Sequence, residues 1–300
     1  MATFTTTLPE LLEKRVRKVY FNEYLMQPKL YDQVFNVVTS QKAYEDVVKV
    51  SGLGSLRQKP EGTAIAYDDP VQSARKRTVH TVFALGFRVT MEMMMNDQFG
   101  IIDRMSSDLA AATLDHQENL AWSVFNNAFA TTGGFDNLSL CNTAHTLLKS
   151  SATYANMLSA PSALSVTGLE ALMVQARKMV NDSNRYTPLQ LEWLIVPAEL
   201  EFEAQRLLES DNEPFTADNQ INTMKSSRTG MKVLCVPYLT DADNWFLLSN
   251  KAKHSLTWYN RMGVTTSSGK DSQTKDMLYD SMYYASVTWD DWRGVFGSNP

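Results

Sequence analysis

The segment NLSLCNTAHTL, residues 138–148, places Cys141 four residues before His145. A thiol and an imidazole could act as nucleophile and base, but the base usually needs a third group that orients it. A zinc site needs three or four ligands, and no further Cys or His follows within forty residues. The second cysteine, Cys235, lies in the apolar stretch VLCVP. We therefore interpret Cys141 as a small apolar residue and His145 as a hydrogen-bonding residue in a loop.

The segment DHQEN, residues 115–119, also carries acid and base side chains. Zinc-binding helices place their ligands four residues apart on one face. Helical spacing instead puts His116 on the apolar stripe, with Asp115 and Glu118 together on a different face. We expect a solvated acidic face beside one half-buried histidine.

The segment GVTTSSGKDS, residues 263–272, has the glycines and lysine of a phosphate-binding loop. A Walker A loop needs four residues between its glycines and Ser or Thr after the lysine. Here five residues separate Gly263 from Gly269, and Asp271 follows Lys270. The segment is predicted to be a flexible polar turn. The sequence thus predicts no catalytic, metal or cofactor site.

The composition is that of an ordinary folded protein: 300 residues, 44% hydrophobic and 20% charged. The net charge of −5 argues against a dedicated nucleic-acid binder, which usually carries a basic surplus. Two cysteines predict no disulfide framework and favour a reducing compartment. No signal peptide is recognisable at the start, and no apolar run approaches the roughly 20 residues that span a bilayer.

Periodicity predicts an α+β chain. An amphipathic helix begins near residue 8, and a polar excursion, 51–78, contains a short strand, TAIAYD (63–68). The strand VHTVFALGFRVTME (79–92) then completes a long two-stranded ribbon. No Gly or Pro occurs from Ile101 to Thr132, which predicts a helix of about 45 Å ended by Gly133. Further elements are predicted after an irregular segment, 133–165: helices at 168–180 and from Pro197, and strands at 191–197, 231–239, 244–250, 255–260 and near the end of the sequence.

Two segments carry opposite charge. The excursion 51–90 has six basic and three acidic residues, whereas 199–218 has seven acidic residues and one arginine. They are either two solvated faces or complementary surfaces between copies of the chain, and composition does not separate these readings. The residues that would form such an interface are Arg57, Lys59, Arg75, Lys76, Arg77, Glu201, Glu209 and Asp211.

Several segments, in order, resemble the major capsid proteins of tailed bacteriophages, in particular the Mu-like major head subunit group. FDNLSLCNTAHTL is similar to that group's D-G-x-x-L-(F/C)-x-T-x-H loop, with Asn137 where the pattern has glycine. LEWLIVPAELEFEAQRLLES resembles its L-x-V-P-x-x-L-E-x-x-A-x-x-L pattern. GMKVLCVPYLTDADNWFLLS resembles V-x-P-Y-L-T-D-x-x-x-W-F-L.

The resemblance implies the Hong Kong 97 capsid fold. Its parts would be an N-terminal arm at 1–50, an E-loop at 51–90 and a P-domain at 91–159 with a spine helix at about 98–131. The A-domain would be 160–270, and 271–300 would form a strand and tail returning to the P-domain. In this fold the arm and E-loop reach across neighbouring subunits.

The implied function is a head protein that assembles through hexamers and pentamers into an icosahedral shell around phage DNA. Its partners would be many copies of itself, a separate scaffold protein, a portal, a candidate decoration protein and weakly held DNA, without a membrane. It would be made in the bacterial cytoplasm and end in the virion. The alternatives are an encapsulin-like cellular compartment and an intracellular hydrolase or phosphotransferase that uses Cys141 or the 263–272 turn.

Overall fold

The computed structural model describes residues 4–96, 100–130, 132–212 and 221–300. The helices in these ranges are α1 (Phe4–Met26), α2 (Tyr31–Val34), α3 (Met91–Asn96), α4 (Ile101–Asn126), α5 (Val166–Arg177), α6 (Glu201–Glu209) and α7 (Ser226–Thr229). The strands are β1 (Asn36–Thr39), β2 (Tyr44–Val50), β3 (Gln72–Val79), β4 (Thr81–Val89), β5 (His145–Leu147), β6 (Ser150–Tyr154), β7 (Leu191–Val196), β8 (Lys232–Cys235), β9 (Trp245–Ser249), β10 (Leu256–Lys270), β11 (Met277–Trp289) and β12 (Val295–Ser298).

The chain forms two compact units. Unit 1 consists of Met1–Tyr44, Val79–Ala121 and Trp258–Val287, and unit 2 consists of Glu45–Thr78, Trp122–Thr257 and Thr288–Pro300. Each unit is therefore assembled from three separate stretches of sequence, and each contains its own sheet.

Unit 1 is a four-stranded sheet covered by long helices. The strand order is β1-β10-β11-β4, and β4 pairs antiparallel with β11 so that Val89 lies opposite Met277. The alternation of apolar residues in β4 turns Phe87 and Val89 toward the core. That core combines side chains of α1, β4, α4 and β11, namely Val16, Val89, Ile102, Met277 and Tyr279.

Helix α1 packs along α4 through two buried tyrosines. The Tyr20 hydroxyl lies 3.0 Å from the Thr113 hydroxyl and 2.7 Å from that of Ser281. The Tyr24 hydroxyl donates to Gln117 at 3.0 Å. Because these polar groups satisfy one another, the contact buries them without leaving lone donors. The predicted amphipathic helix is confirmed.

The segment after α1 is anchored within unit 1 by Glu118. Its carboxylate accepts the backbone N–H groups of Leu30 at 2.7 Å and Tyr31 at 3.1 Å, where α2 begins. These are donors that a helix start leaves without intrahelical partners. Glu118 is only 4% exposed, so the prediction of a solvated acidic face is wrong at this residue. Asp115 is exposed, and the two carboxylates do not share one surface.

The long helix is shorter than predicted. Helix α4 ends at Asn126, and residues 127–130 form turns, so the helix ends before Gly133. At 1.5 Å per residue its 26 residues span about 39 Å. Residues 97–99 and 131 of the predicted helix lie outside the described residues.

Unit 2 is built on a second sheet with the order β12-β9-β7-β8. Strands β7 and β8 are parallel, whereas β9 runs antiparallel to both β7 and β12. Helix α5 starts at Ser165, whose side chain accepts the Gly168 N–H at 3.2 Å. The helix predicted from Pro197 is a 3-10 turn, Ala198–Leu200, followed by α6. Strand β9, WFLLS, is almost entirely apolar and buried along its whole length, which is typical of a strand covered on both faces.

Three predictions, two of strands and one of a turn, are wrong. TAIAYD has no regular structure, and the ribbon consists of β2 and β3, while β4 belongs to the sheet of unit 1. The segment 263–270 is not a turn, because it forms the end of the 15-residue strand β10. Burial alternates along it, with Thr265 and Ser267 exposed and Thr266 and Ser268 half-buried, which suits a strand with one solvated face. The turn lies at 271–276.

Candidate assembly site

Cys141 is sealed inside unit 2. It is 1% exposed, and its backbone N–H donates to the Ala128 carbonyl at 2.8 Å. Burial raises the pKa of its thiol well above the ordinary value, so the reactive thiolate is not available. The side chain behaves as the small apolar residue that the sequence predicts.

His145 has both ring nitrogens occupied. Nδ1 lies 2.6 Å from Asp136 Oδ2, and Nε2 lies 3.1 Å from Asn156 Oδ1. The ring also stacks on Trp292, with centroids 4.2 Å apart. Burial alone would raise the pKa of Asp136, but the hydrogen bond and charge of His145 outweigh it and the pKa is lowered. Neither nitrogen is left to accept a proton from Cys141, so the pair has no catalytic arrangement.

The backbone conformation of Asn137 explains why asparagine can stand where the capsid loop pattern has glycine. It has φ of 56°, in the left-handed region that glycine adopts most readily. Asparagine is among the residues that tolerate this conformation best. Asn137 therefore adopts in this turn a conformation that is also open to glycine.

The loop of the ribbon, residues 51–71, presents apolar side chains to solvent. Leu56 and Tyr67 are 103% and 89% exposed, and Leu53 and Ile65 are also exposed. Asp68 fixes the ends of this loop, accepting the Gly54 N–H at 2.6 Å and pairing with Lys149 at 2.9 Å. The loop is thus fixed at its base by hydrogen bonds and an ion pair, while the apolar side chains along it are exposed to solvent.

Four charged residues, Lys49, Asp182, Asp291 and Arg293, fix the base of the ribbon, and we call them the ribbon-base network. Lys49 Nζ lies 3.1 Å from Asp182 and 2.8 Å from Asp291. Arg293 pairs with the same two carboxylates, at 3.0 Å in each case. Burial would raise the pKa of Asp291, but Arg293 and Lys49 lower it. Charges alternate around the network, so each buried or half-buried charged group lies beside groups of opposite charge.

The side chains of the basic triplet 75–77 make most of their contacts within their own subunit. Arg77 forms a two-point pair with Asp46 at 2.8 and 2.9 Å, and Arg75 approaches the same carboxylate at 3.4 Å. Lys76 donates to the Trp289 carbonyl and lies 4.4 Å from the centre of its indole ring. Burial lowers the pKa of Lys76. Lys76 therefore secures the second ribbon strand, as Lys49 secures the first.

The remaining charged candidates lie at the surface of unit 2. Arg57 and Lys59 are exposed on the ribbon loop, and Glu209 is exposed at the end of α6. Asp211 forms an ion pair with Lys225. Glu201 is half-buried and lies beside Gln205, at 3.3 Å. Residues 213–220, which hold two of the predicted acids, lie outside the described residues.

Sequence reasoning did not find the ribbon-base network. Its members are far apart in sequence, and each looks like an ordinary surface charge. The clustering of Asp291 and Arg293 two residues apart among apolar neighbours, in DDWRGVFG, was the one available signal. It did not reveal the partners Lys49 and Asp182.

The α+β fold of the chain is similar to the folds of shell-forming proteins of known structure. It is similar to a capsid of bacteriophage JBD30 decorated with minor capsid protein trimers (TM-score 0.57, 14% identity, 72% of this chain and 92% of that one). It is also similar to the capsid of the native GTA particle (0.57, 12%, 90% and 90%). A third similar structure is the SrpI encapsulin of Synechococcus elongatus PCC 7942 (0.53, 8%, 91% and 87%). The fold is of the Hong Kong 97 type.

The family itself follows from the sequence. A family model described as phage capsid protein matches residues 74–297, and the chain belongs to this family. It is a major capsid protein, a structural component of the virion. No curated protein sequence matches the chain significantly. In the described part of the chain, no helix combines the length and apolarity of a membrane span.

Proposed function

We propose that the ribbon loop, residues 51–71, is the element with which each subunit grips a neighbouring copy in the shell. The exposure of Leu56 and Tyr67 carries this proposal. Several large apolar side chains exposed within one segment, rather than scattered singly over the surface, mark an interaction site. A shell requires repeated heterologous contacts that close by symmetry, and a projecting loop suits such a contact.

The parts of the subunit take the roles that the capsid fold assigns. Residues 1–50 are the arm, 51–90 the E-loop, 91–159 with 271–300 the P-domain, and 160–270 the A-domain around the capsomer centre. The packing of Tyr20 and Glu118 supports an arm that starts on its own subunit. The Mu-like subgroup stays a prediction.

Charge complementarity between copies remains part of this proposal, with a narrower set of residues. Arg57 and Lys59 on the ribbon loop, and Glu209 on α6, are exposed and suited to partners on another copy. Arg75, Lys76, Arg77, Glu201 and Asp211 have contacts in their own subunit that would compete. Such rim charges set association rate and register more than affinity.

Further partners follow from a phage head: a separate scaffold protein, a portal, a decoration protein and DNA held by weak non-specific contact. The similar JBD30 capsid carries minor capsid protein trimers, which supports the decoration protein. The subunit is made in the host cytoplasm and has no catalytic role of its own.

An encapsulin-like compartment is the second candidate, favoured by the similarity to SrpI. A phage head and an encapsulin-like compartment differ in what the shell encloses. Purified particles that hold DNA support the phage head, whereas particles that hold a protein cargo and no DNA support the compartment.

The ribbon proposal is tested by replacing residues 55–69 with a short Gly-Ser linker. This deletion leaves β3 intact, including Lys76, which secures that strand. We expect thermal unfolding to change little, because the lost contacts of Asp68 are exposed, and we expect no shells in electron micrographs. The matched control replaces the exposed Tyr186 of unit 2 with Ser and should assemble normally. Normal particles from the deletion variant would refute the role of the ribbon loop.

A further inference from the structure

Strand β4 is an open edge of the sheet in unit 1. It pairs with β11 on one side and has no strand on the other, in the part of the chain that the structure describes. Thr81–Val89 is nine residues long, contains no proline, and has Arg88 as its one charged residue. Native proteins usually protect such edges with charges, proline or a covering segment. This edge is therefore ready to accept another strand.

A hollow lies beside this edge, between β4 and α4. It has a volume of about 240 Å³ and is lined by Phe83, Leu85, Ala112, His116 and Tyr283, among others. Leu85 is 56% exposed at its rim. The lining is largely apolar, so filling it with apolar side chains removes that surface from water.

The ribbon loop contains a strand-forming sequence without a partner. Ala64–Tyr67 alternates small and large residues, which is typical of a strand with one packed face. Yet the segment has no regular structure, and its backbone pairs with no other described residue. Ile65 and Tyr67 are 62% and 89% exposed. The sequence of this segment favours a strand, but within its own chain the segment does not form one. This disagreement points to a strand partner outside the chain.

We propose that residues 64–67 of one copy add to the β4 edge of a neighbouring copy as a fifth strand. Ile65 and Tyr67 then share one face of the added strand and enter the hollow beside Leu85. This inference rests on the proposed role of the ribbon loop and names the surface that receives it. A second copy is the occupant because every subunit of a shell carries both the open edge and the unpaired segment.

The test uses cysteine pairs in assembled particles. Ile65→Cys is combined in turn with Phe83→Cys, Leu85→Cys or Phe87→Cys, which share one face of β4. Cys235→Ser provides the background, and the buried Cys141 is left in place. A disulfide needs Cα atoms within roughly 7 Å, which neighbouring strands provide. Under mild oxidation, at least one pair should give multimers on a non-reducing gel from particles and none from unassembled subunits.

The matched control combines Ile65→Cys with Val38→Cys on β1, the opposite edge of the same sheet. Cross-linking through Val38→Cys, or no cross-link with any β4 position, overturns the proposal. Hydrogen exchange gives an independent reading, because amides of 64–67 and 81–89 should both become protected on assembly. Protection of 81–89 without a cross-link to position 65 would mean that another protein, such as a scaffold or decoration protein, donates the strand.

The two proposals fail separately. If the 55–69 deletion assembles normally, the role of the ribbon loop fails. If that deletion blocks assembly but no β4 cross-link forms, the loop docks on a different surface and only the fifth-strand inference fails.

Discussion

Gly294 lies where the last loop of unit 2 passes close to its neighbours. Its φ is 90°, and a Cβ there would lie 2.6 Å from Ser249 Oγ and 2.8 Å from the Lys253 carbonyl oxygen. The second atom belongs to the backbone and cannot rotate away. Both the strained conformation and the overlap exclude a side chain.

We predict that Gly294→Ala lowers the free energy of unfolding by about 2–5 kcal/mol, from strain and overpacking together. Gly263→Ala is the control, since Gly263 has no neighbour within 4 Å and lies in strand β10. It should change stability by about 0.5 kcal/mol or less. Chemical denaturation of the two unassembled variants makes the comparison, and equal midpoints would contradict the packing argument.

His254 gives the subunit a sensitivity to mild acid. Burial lowers its pKa to about 4, and the nearby positive charge of Lys251 adds to this effect. The unfolded chain takes up the proton near pH 6.5, whereas the folded chain resists it. Stability from this group is thus complete above pH 6.5 and is lost as the pH falls toward 4.

We expect unfolding experiments between pH 7 and pH 4 to show a loss of about 2–3 kcal/mol that His254→Gln largely abolishes. His116→Gln is the matched control, because His116 lies at the surface of unit 1. If the two variants keep the same pH dependence, His254 is not the responsible group.

Predictions for single residues succeeded where local sequence decides the outcome. Cys141 is buried as a small apolar residue, and His145 forms hydrogen bonds with Asp136 and Asn156, as predicted for both. Glu118 was predicted wrongly because its burial depends on Leu30 and Tyr31, which lie almost ninety residues away. Helical spacing predicts on which face of a helix a residue lies, but it does not predict which other segment of the chain covers that face.

At the scale of elements, the ribbon is held by one lysine from each strand. Lys49 of β2 and Lys76 of β3 both bind the segment around Trp289 and Asp291. Two attachments fix the direction of a hairpin that would be marginal as an isolated ribbon.

We predict that Lys49→Met leaves the fold intact but loosens the ribbon. The methionine keeps the length of the side chain and removes the ion pairs with Asp182 and Asp291, worth about 1.5–3 kcal/mol. Amide hydrogen exchange within 45–50 and 72–78 should quicken by roughly ten- to hundredfold. Lys59→Met is the control, and an identical exchange pattern in both variants would argue against the network.

Elements with strong periodicity were predicted well, and those that depend on pairing were not. Helices α1, α4 and α5 follow from apolar spacing, and β7 and β9 from apolar runs. The polar composition at the end of β10 predicts a turn, whereas the segment is a strand because it pairs within the sheet of unit 1. The segment 63–68 shows the opposite error, a strand pattern without an adjacent strand in its own chain.

At the scale of the whole molecule, the order of segments was predictable and their grouping was not. The resemblance correctly indicated a capsid fold. It did not indicate that residues 258–287 join the sheet of unit 1 while 288–300 complete that of unit 2. Such grouping depends on long-range contacts, for which one sequence gives no direct signal.

The pairing of β4 with β11 has a consequence for synthesis. Met277 lies opposite Val89, so more than 180 residues must be translated after β4 before its partner exists. At roughly 5–20 residues per second, the ribosome leaves β4 waiting for about 10–40 s. A chain released before residue 277 lacks the strand between β10 and β4, and also β12. Incomplete products of translation therefore lack part of both sheets. We expect that such truncated subunits do not enter the growing shell.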